Sequence, residues 1–132
     1  MPVIYQIDGD ERLIRTRCIG DVTFAEVVDH FHALQGDPDC AGAIDVLLDL
    51  SEASSIPTPN QLRSIDVEIQ GMSKIQFGAC AVVATREVLY GMSRMFETVA
   101  AERFRSMHVF RGVVEAEDWL RSGPASGSSS GV

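Results

Sequence analysis

The distribution of apolar residues along the chain predicts strands that alternate with helices. Small and branched apolar side chains fill residues 77–84 without interruption, which is typical of a strand buried on both faces. Leu89, Met92, Phe96, Val99 and Ala100 then recur at helical spacing. Residues 106–110 form another short apolar run. The stretch 77–110 is therefore predicted to be a βαβ crossover, which needs further strands beside it.

The first half of the chain supplies those strands. Residues 3–7 and 12–18 alternate between the two sides of a strand, with Val3, Tyr5 and Ile7 on one face of the first and Ile14, Thr16 and Cys18 on one face of the second. The connector contains Asp8-Gly9, which favours an antiparallel hairpin. Residues 43–50 are nearly continuously apolar and predict a second central strand, and 51–57 are predicted to be a polar loop.

Capping residues predict where the helices begin. Thr23 and Glu26 have the spacing of a capping box, and the helix should end at Gly36. Thr58 is a good N-cap for a helix that should end near Gly71, and residues 113–120 predict a terminal helix. The predicted fold class is α/β, with a single mixed, mostly parallel sheet of about five strands, about four helices and an N-terminal antiparallel hairpin.

Composition limits the classes of function. The 132 residues suffice for one domain, predicted to span 1–121, and the Ser- and Gly-rich residues 122–132 predict a flexible tail. A net charge of −8 argues against nucleic-acid binding and against attraction to anionic membranes. The sequence has no apolar run of the ~20 residues that a membrane span needs, and no signal peptide is apparent. Three widely spaced cysteines favour a reducing, cytoplasmic location.

No motif predicts a cofactor, a metal site or an enzyme. His30 and His32 are two residues apart on a helix and point in different directions, so they are a poor metal pair. Glycine-rich phosphate loops, Cys-x-x-Cys and His-Glu-x-x-His do not occur. Cys80 lies in mid-strand, where burial disfavours the thiolate. We therefore expect a protein that is not an enzyme and that has no cofactor.

The polar residues that follow the central strands are the candidate binding residues, because ligands of α/β sheets bind beyond the carboxyl ends of strands. The first group follows the strand 43–50 and contains Asp49, Ser51, Ser54, Ser55 and Thr58. An anion at the helix start is one interpretation, and a polar loop with a capping Thr58 is the alternative.

A second group of candidates follows the strand 77–84. Thr85 and Arg86 lie at its end. Arg86, Tyr90 and Arg94 are spaced four residues apart, so they share one helix face. This face is interpreted either as an anion or partner contact or as an ordinary solvated surface. Met95 lies off the apolar stripe and is a candidate for a pocket or a dimer surface.

Three segments resemble the STAS superfamily. They are Leu47-Leu-Asp-Leu-Ser51, Tyr90-Gly-Met-Ser-Arg-Met-Phe96 and Val109-Phe-Arg-Gly-Val-Val-Glu-Ala-Glu-Asp-Trp-Leu120. The resemblance covers about residues 3 to 121 and is greatest to stand-alone bacterial domains related to anti-sigma-factor antagonists (SpoIIAA-like). It implies a sheet layered with helices and a non-enzymatic regulatory role, through a protein partner or through a nucleotide or apolar ligand.

The resemblance also suggests a phosphorylation site. Antagonists of this superfamily carry Asp-Ser-Ser-Gly at a helix start, and phosphorylation there breaks partner binding. The motif falls on Pro57-Thr58-Pro59-Asn60, where the Asp and the Gly are missing and only Thr58 keeps a hydroxyl. Two functions are thus expected: a protein-interaction domain, with a homodimer as one form of partner, or a domain that binds an apolar or anionic small molecule.

Overall fold

The computed structural model describes residues 3–58, 60, 61, 63, 64, 67, 75–100 and 104–122. Five strands and three α-helices have complete bounds in this part of the chain: β1 (Val3–Asp8), β2 (Leu13–Asp21), α1 (Phe24–Gln35), β3 (Gly42–Ser55), β4 (Ile75–Val83), α2 (Glu87–Ala100), β5 (Ser106–Phe110) and α3 (Val113–Arg121). A short 3-10 helix, Pro38–Cys40, joins α1 to β3.

The five strands form one sheet in the order β1-β2-β3-β4-β5. β1 and β2 are antiparallel, and each of the remaining neighbouring pairs is parallel. The α/β class, the mixed and mostly parallel sheet and the N-terminal hairpin are all confirmed. The crossover predicted for 77–110 is β4, α2 and β5, and the limits predicted for its last strand, 106–110, are those observed.

The turn between β1 and β2 uses a left-handed residue other than the expected glycine. Arg12 has a φ of 51°, whereas Gly9 is not among the residues with positive φ. The Arg12 guanidinium donates to the backbone carbonyls of Ala43, Ala41 and Asp39 at 3.1, 2.7 and 3.0 Å. These three bonds offset the cost of the left-handed backbone and fix the start of β3 against the hairpin.

α1 begins as the capping residues predict. The Thr23 Oγ1 accepts the Glu26 backbone N–H at 3.3 Å, and Glu26 Oε1 accepts the Thr23 backbone N–H at 2.8 Å. The helix ends at Gly36, whose N–H donates to the carbonyl of His32 at 3.2 Å. The capping box and the predicted end are both confirmed.

β3 is longer than predicted, because the loop expected at 51–57 is strand as far as Ser55. The extension pairs with β2, and register shifts between Arg17 and Ile19 and between Gly20 and Asp21 place extra residues on β3. Asp49 Oδ1 accepts the Ser51 N–H at 2.9 Å beside the first shift. A polar side chain thus satisfies a backbone group at the irregularity, so the strand continues through a sequence that looks like a loop.

The sheet is covered on both faces. On one face, β2, β3 and β4 pack against α1 and α2, whose Leu34 and Leu89 are each 1% exposed. On the other face α3 packs its Ala116 and Leu120 against Leu13, Leu47, Ala79, Ala81 and Val83. β4 contributes buried residues to both faces, as its unbroken apolar run predicts.

The helix predicted after Thr58 is only partly within the described residues. Thr58 accepts the Gln61 backbone N–H at 3.3 Å and its own N–H donates to Gln61 Oε1 at 2.9 Å, which confirms it as an N-cap. Residues 60, 61, 63, 64 and 67 are helical. The predicted end at Gly71 and the predicted tail lie outside the described residues, apart from Ser122 of the tail.

Candidate functional site

An apolar cavity of about 90 Å³ lies on the face of the sheet covered by α1 and α2. The strands β1, β2, β3 and β4 contribute to its walls, together with both helices and residues 22, 56, 57 and 104. Its described lining residues are Val3, Thr16, Cys18, Val22, Val27, His30, Phe31, Leu34, Val46, Leu48, Leu50, Ile56, Pro57, Phe77, Cys80, Val82, Ser93 and Phe104. The interior is therefore incompletely filled, which close-packed protein cores usually avoid.

Alternation along the strands explains why these residues line the cavity. Val46, Leu48 and Leu50 are two apart in β3, so they lie on one face of the sheet. The residues between them, Leu47 and Asp49, face the side covered by α3. The described residues that β3 directs into the cavity are thus all apolar.

Two polar groups of the cavity wall satisfy each other. Thr16 is 1% exposed at the centre of β2, and its Oγ1 lies 3.3 Å from His30 Nε2 on α1. The rings of Tyr5 and Phe31 pack against the His30 ring at centroid distances of 5.4 and 5.6 Å. Burial lowers the pKa of His30 to about 4, so this imidazole is neutral at physiological pH.

Ser93 is the third polar residue in the described cavity wall. It lies on α2, is 1% exposed, and its Oγ has no hydrogen-bond partner within the described part of the chain. A helical serine commonly donates to the carbonyl of the preceding turn. Among the described residues, Ser93 shows no such bond, and its buried hydroxyl lies at the cavity surface.

The cysteines are buried thiols. Cys18 and Cys80 line the cavity, and burial raises the pKa of each to about 12. Cys40 lies outside the cavity wall, and burial raises its pKa to about 11. Thiols with such pKa values remain protonated at neutral pH and are poor nucleophiles and metal ligands.

The residues predicted at the end of β3 do not line this cavity. Asp49 and Ser51 are linked by the bond at the β3 irregularity, and Asp49 pairs in register with Val83. Ser54 and Ser55 lie further along β3, and Ser55 Oγ donates to Asp21 Oδ1 at 3.0 Å. Ser55 follows Asp49 by six positions, about 20 Å along the strand. The extension of β3 thus carries the serines away from the end of β4.

The residues predicted at the end of β4 form a charged surface network. Thr85 and Arg86 are exposed. The Arg111 guanidinium lies 4.2 Å from the centroid of the Tyr90 ring and donates to Glu87 Oε2 at 2.8 Å. Arg94 donates to Glu97 Oε1 at 3.1 Å, and hydrogen bonding to Tyr90 and the charge of Glu97 raise the Arg94 pKa. Tyr90 and Arg94 lie on α2, whereas Arg86 precedes its first residue and its carbonyl accepts the Tyr90 N–H at 2.8 Å. Glu97 pairs with the charge of Arg94, and a binding role for this group stays a prediction.

Met95 is 54% exposed on α2 and does not line the cavity. Val88, seven residues earlier on the same helix face, is 61% exposed. Between them, a side chain added at Gly91 would meet open space. The outer face of α2 is thus partly apolar, which keeps Met95 as a candidate surface residue.

The cavity residues had signals in the sequence. Thr16 lies between Ile14 and Cys18 on the inward face of its strand, and His30 lies three residues after Val27 on α1. Ser93 follows Leu89 by four and precedes Phe96 by three, so it belongs to the apolar stripe of α2. Polar residues on inward-facing stripes are therefore the signal for this cavity, whereas the predicted candidates lie beyond the strand ends or, like Met95, off the apolar stripe.

Comparison with known proteins gives the fold. No protein-family model matches the chain, and no curated protein matches its sequence. Among solved structures, the chain is similar to an uncharacterized protein of the DUF3478 family from Shewanella loihica PV-4, which has a SpoIIAA-like fold. The TM-score is 0.55 at 12% identity, over 89% of this chain and 91% of the other. This chain has a SpoIIAA-like fold.

The SpoIIAA-like fold confirms the architecture that the resemblance to the STAS superfamily implied. At 12% identity the similarity shows the fold alone. Within the residues that the structure describes, no helix is long and apolar enough to cross a membrane. The same residues contain no group of three potential metal ligands. The apolar cavity is therefore the feature from which a function can be argued.

Proposed function

We propose that this SpoIIAA-like domain is a non-enzymatic regulatory module that binds a small apolar ligand in the cavity between the sheet and α1 and α2. The observation that supports this most is the apolar cavity itself, with a volume of about 90 Å³. Empty apolar cavities stay dry and bind small apolar molecules, as a cavity of ~150 Å³ binds benzene in another protein. Filling this one would restore the dispersion contacts that its walls lack.

The chemistry of the walls supports binding over catalysis. The thiols Cys18 and Cys80 are protonated, and His30 is neutral and already paired with Thr16. A nucleophile needs an activated thiolate or hydroxyl beside a base. The described walls offer neither.

Filling the cavity with a side chain tests this proposal. Val27 lines the cavity, and Val27→Phe adds four non-hydrogen atoms, about the number that the cavity holds. In the wild type we expect dissolved xenon to shift the methyl resonances of lining residues such as Leu50 and Val82. In Val27→Phe these shifts should disappear.

The matched control is Val114→Phe, because Val114 is 69% exposed on α3 and lies across the sheet from the cavity. Val114→Phe should keep the xenon shifts of the wild type. An absence of xenon shifts in the wild type would contradict the proposal, as would equal shifts in Val27→Phe.

Protein binding is the second candidate, and we propose a second copy of this chain as the partner. Val88 and Met95, at 61% and 54% exposed, form an apolar pair on the outer face of α2. Two antiparallel copies of α2 crossing near Gly91 would place Val88 of each copy against Met95 of the other. The open space at Gly91 permits this close approach.

A charge in this face tests the second candidate. Met95→Lys should shift the monomer–dimer equilibrium at least tenfold toward monomer, because a symmetric interface would bury the charge twice. Sedimentation equilibrium measures this shift, and Val114→Lys on α3 is the control. A wild type that remains monomeric at high concentration would rule out this dimer.

A further inference from the structure

Ser93 is a buried hydroxyl at the cavity surface for which the described part of the chain supplies no hydrogen-bond partner. Its side chain is 1% exposed, and no described residue bonds to its Oγ. Buried polar groups are almost always hydrogen-bonded, and an unpaired one is costly. A molecule in the cavity that offers a hydrogen-bonding atom would remove this cost.

The described walls of the cavity contain no charged side chain. Aspartate, glutamate, lysine and arginine are all absent from its described lining residues. Thr16 and His30 are the remaining polar partners and lie 3.3 Å from each other, and burial keeps His30 neutral by lowering its pKa. A carboxylate or an ammonium group entering the cavity would lose its hydration and gain no opposite charge.

We infer that the cavity selects an uncharged molecule with one hydroxyl or carbonyl group, which hydrogen-bonds to Ser93 Oγ while its hydrocarbon part contacts the apolar wall. The volume of about 90 Å³ accommodates roughly four non-hydrogen atoms. The ligand class is therefore the short-chain alcohols and ketones. This inference rests on the proposed ligand-binding function and adds the chemistry of the ligand.

Three probes of similar size, together with xenon, distinguish the effects of charge, hydrogen bonding and apolar contact on binding. They are 1-propanol, propylammonium, propionate and xenon, each titrated into the full chain while methyl NMR follows Leu50 and Val82 in the cavity wall. We expect 1-propanol and xenon to shift these resonances, and the two ions to leave them unchanged.

Removing the hydroxyl then tests Ser93 directly. Ser93→Ala should weaken 1-propanol binding about fivefold, the usual effect of one lost hydrogen bond, and leave xenon binding unchanged. Xenon binding also reports that the variant is folded and its cavity intact. Ser106→Ala is the matched control, because Ser106 Oγ is likewise buried with no partner among the described residues, but Ser106 is not one of the described lining residues of the cavity. It should bind 1-propanol as the wild type does.

The outcomes separate this inference from the function on which it rests. Equal 1-propanol affinity in Ser93→Ala and wild type would overturn the inference, as would cavity shifts caused by propionate or propylammonium. In both cases, xenon binding would still support the proposed ligand-binding function. If neither xenon nor 1-propanol shifts the cavity resonances, both the inference and the proposed function fail.

Discussion

His30 is a titratable ring held among apolar side chains at the edge of the cavity. Thr16 is its hydrogen-bonding partner at 3.3 Å, and Tyr5 packs edge-on against it. Tyr5 in turn donates to Asp37 Oδ2 at 2.9 Å, which ties β1 to the segment after α1. The neutral ring therefore packs between α1 and the strands β1 and β2. Its protonation should weaken this packing.

The stability of the domain should consequently fall as the pH is lowered through the range in which His30 titrates in the unfolded chain. Burial lowers the His30 pKa from 6.5 to about 4. Between these values the unfolded chain binds a proton that the folded protein excludes, so acid favours unfolding. Above pH 6.5 the ring is neutral in both states and this contribution is absent.

Urea unfolding at pH 7.5 and pH 5 measures this contribution. The free energy of unfolding should fall between pH 7.5 and pH 5, and this fall should be about 2 kcal/mol smaller in His30→Leu than in the wild type. Carboxylates also contribute to the pH dependence, but they titrate in both proteins. Their contribution therefore cancels when the two pH dependences are subtracted. An equal pH dependence in the two proteins would show that His30 is not held neutral.

At the scale of the elements, the sequence predicted the positions of strands and helices well and the length of β3 poorly. Apolar runs predicted β4 and β5, because buried strands need a continuous series of apolar side chains. Capping residues predicted α1, because the free backbone groups at helix ends bond to nearby residues in the sequence. β3 continues through Ser51, Glu52 and Ser54 because it pairs with the long β2 and because Asp49 bonds the Ser51 N–H. That support depends on a partner strand and cannot be read from local composition.

The junction of the hairpin with β3 depends on Arg12, and two substitutions separate its contributions. Arg12→Ala and Arg12→Gly both lose the bonds to the carbonyls of Asp39, Ala41 and Ala43. Arg12→Ala should lower the free energy of unfolding by about 2 kcal/mol. Arg12→Gly should be about 1 kcal/mol more stable than Arg12→Ala, because glycine adopts the φ of 51° without strain.

Chemical denaturation of the two variants at one pH provides the comparison. The order of stability should be wild type, then Arg12→Gly, then Arg12→Ala. A less stable glycine variant would show that the left-handed backbone at this turn carries little strain.

At the scale of the whole molecule, the sequence predicted the α/β class and the layered architecture but not the cavity. The candidate residues beyond the strand ends, such as Ser55 and Arg94, are engaged with Asp21 and Glu97 at the surface. The cavity arises where residues from β2, β3, β4, α1 and α2 fail to fill the space between them. Such a mismatch is a property of three-dimensional packing, so residue patterns reveal its lining but not its volume.

The central claim is that the space between the sheet and α1 and α2 is an apolar ligand site. A crystal structure determined under xenon pressure tests it most directly, because xenon occupies dry apolar cavities and is readily located. We predict a xenon atom among Val46, Leu50, Val27 and Val82. Ordered water molecules at this position, or side chains that close the space, would contradict the account.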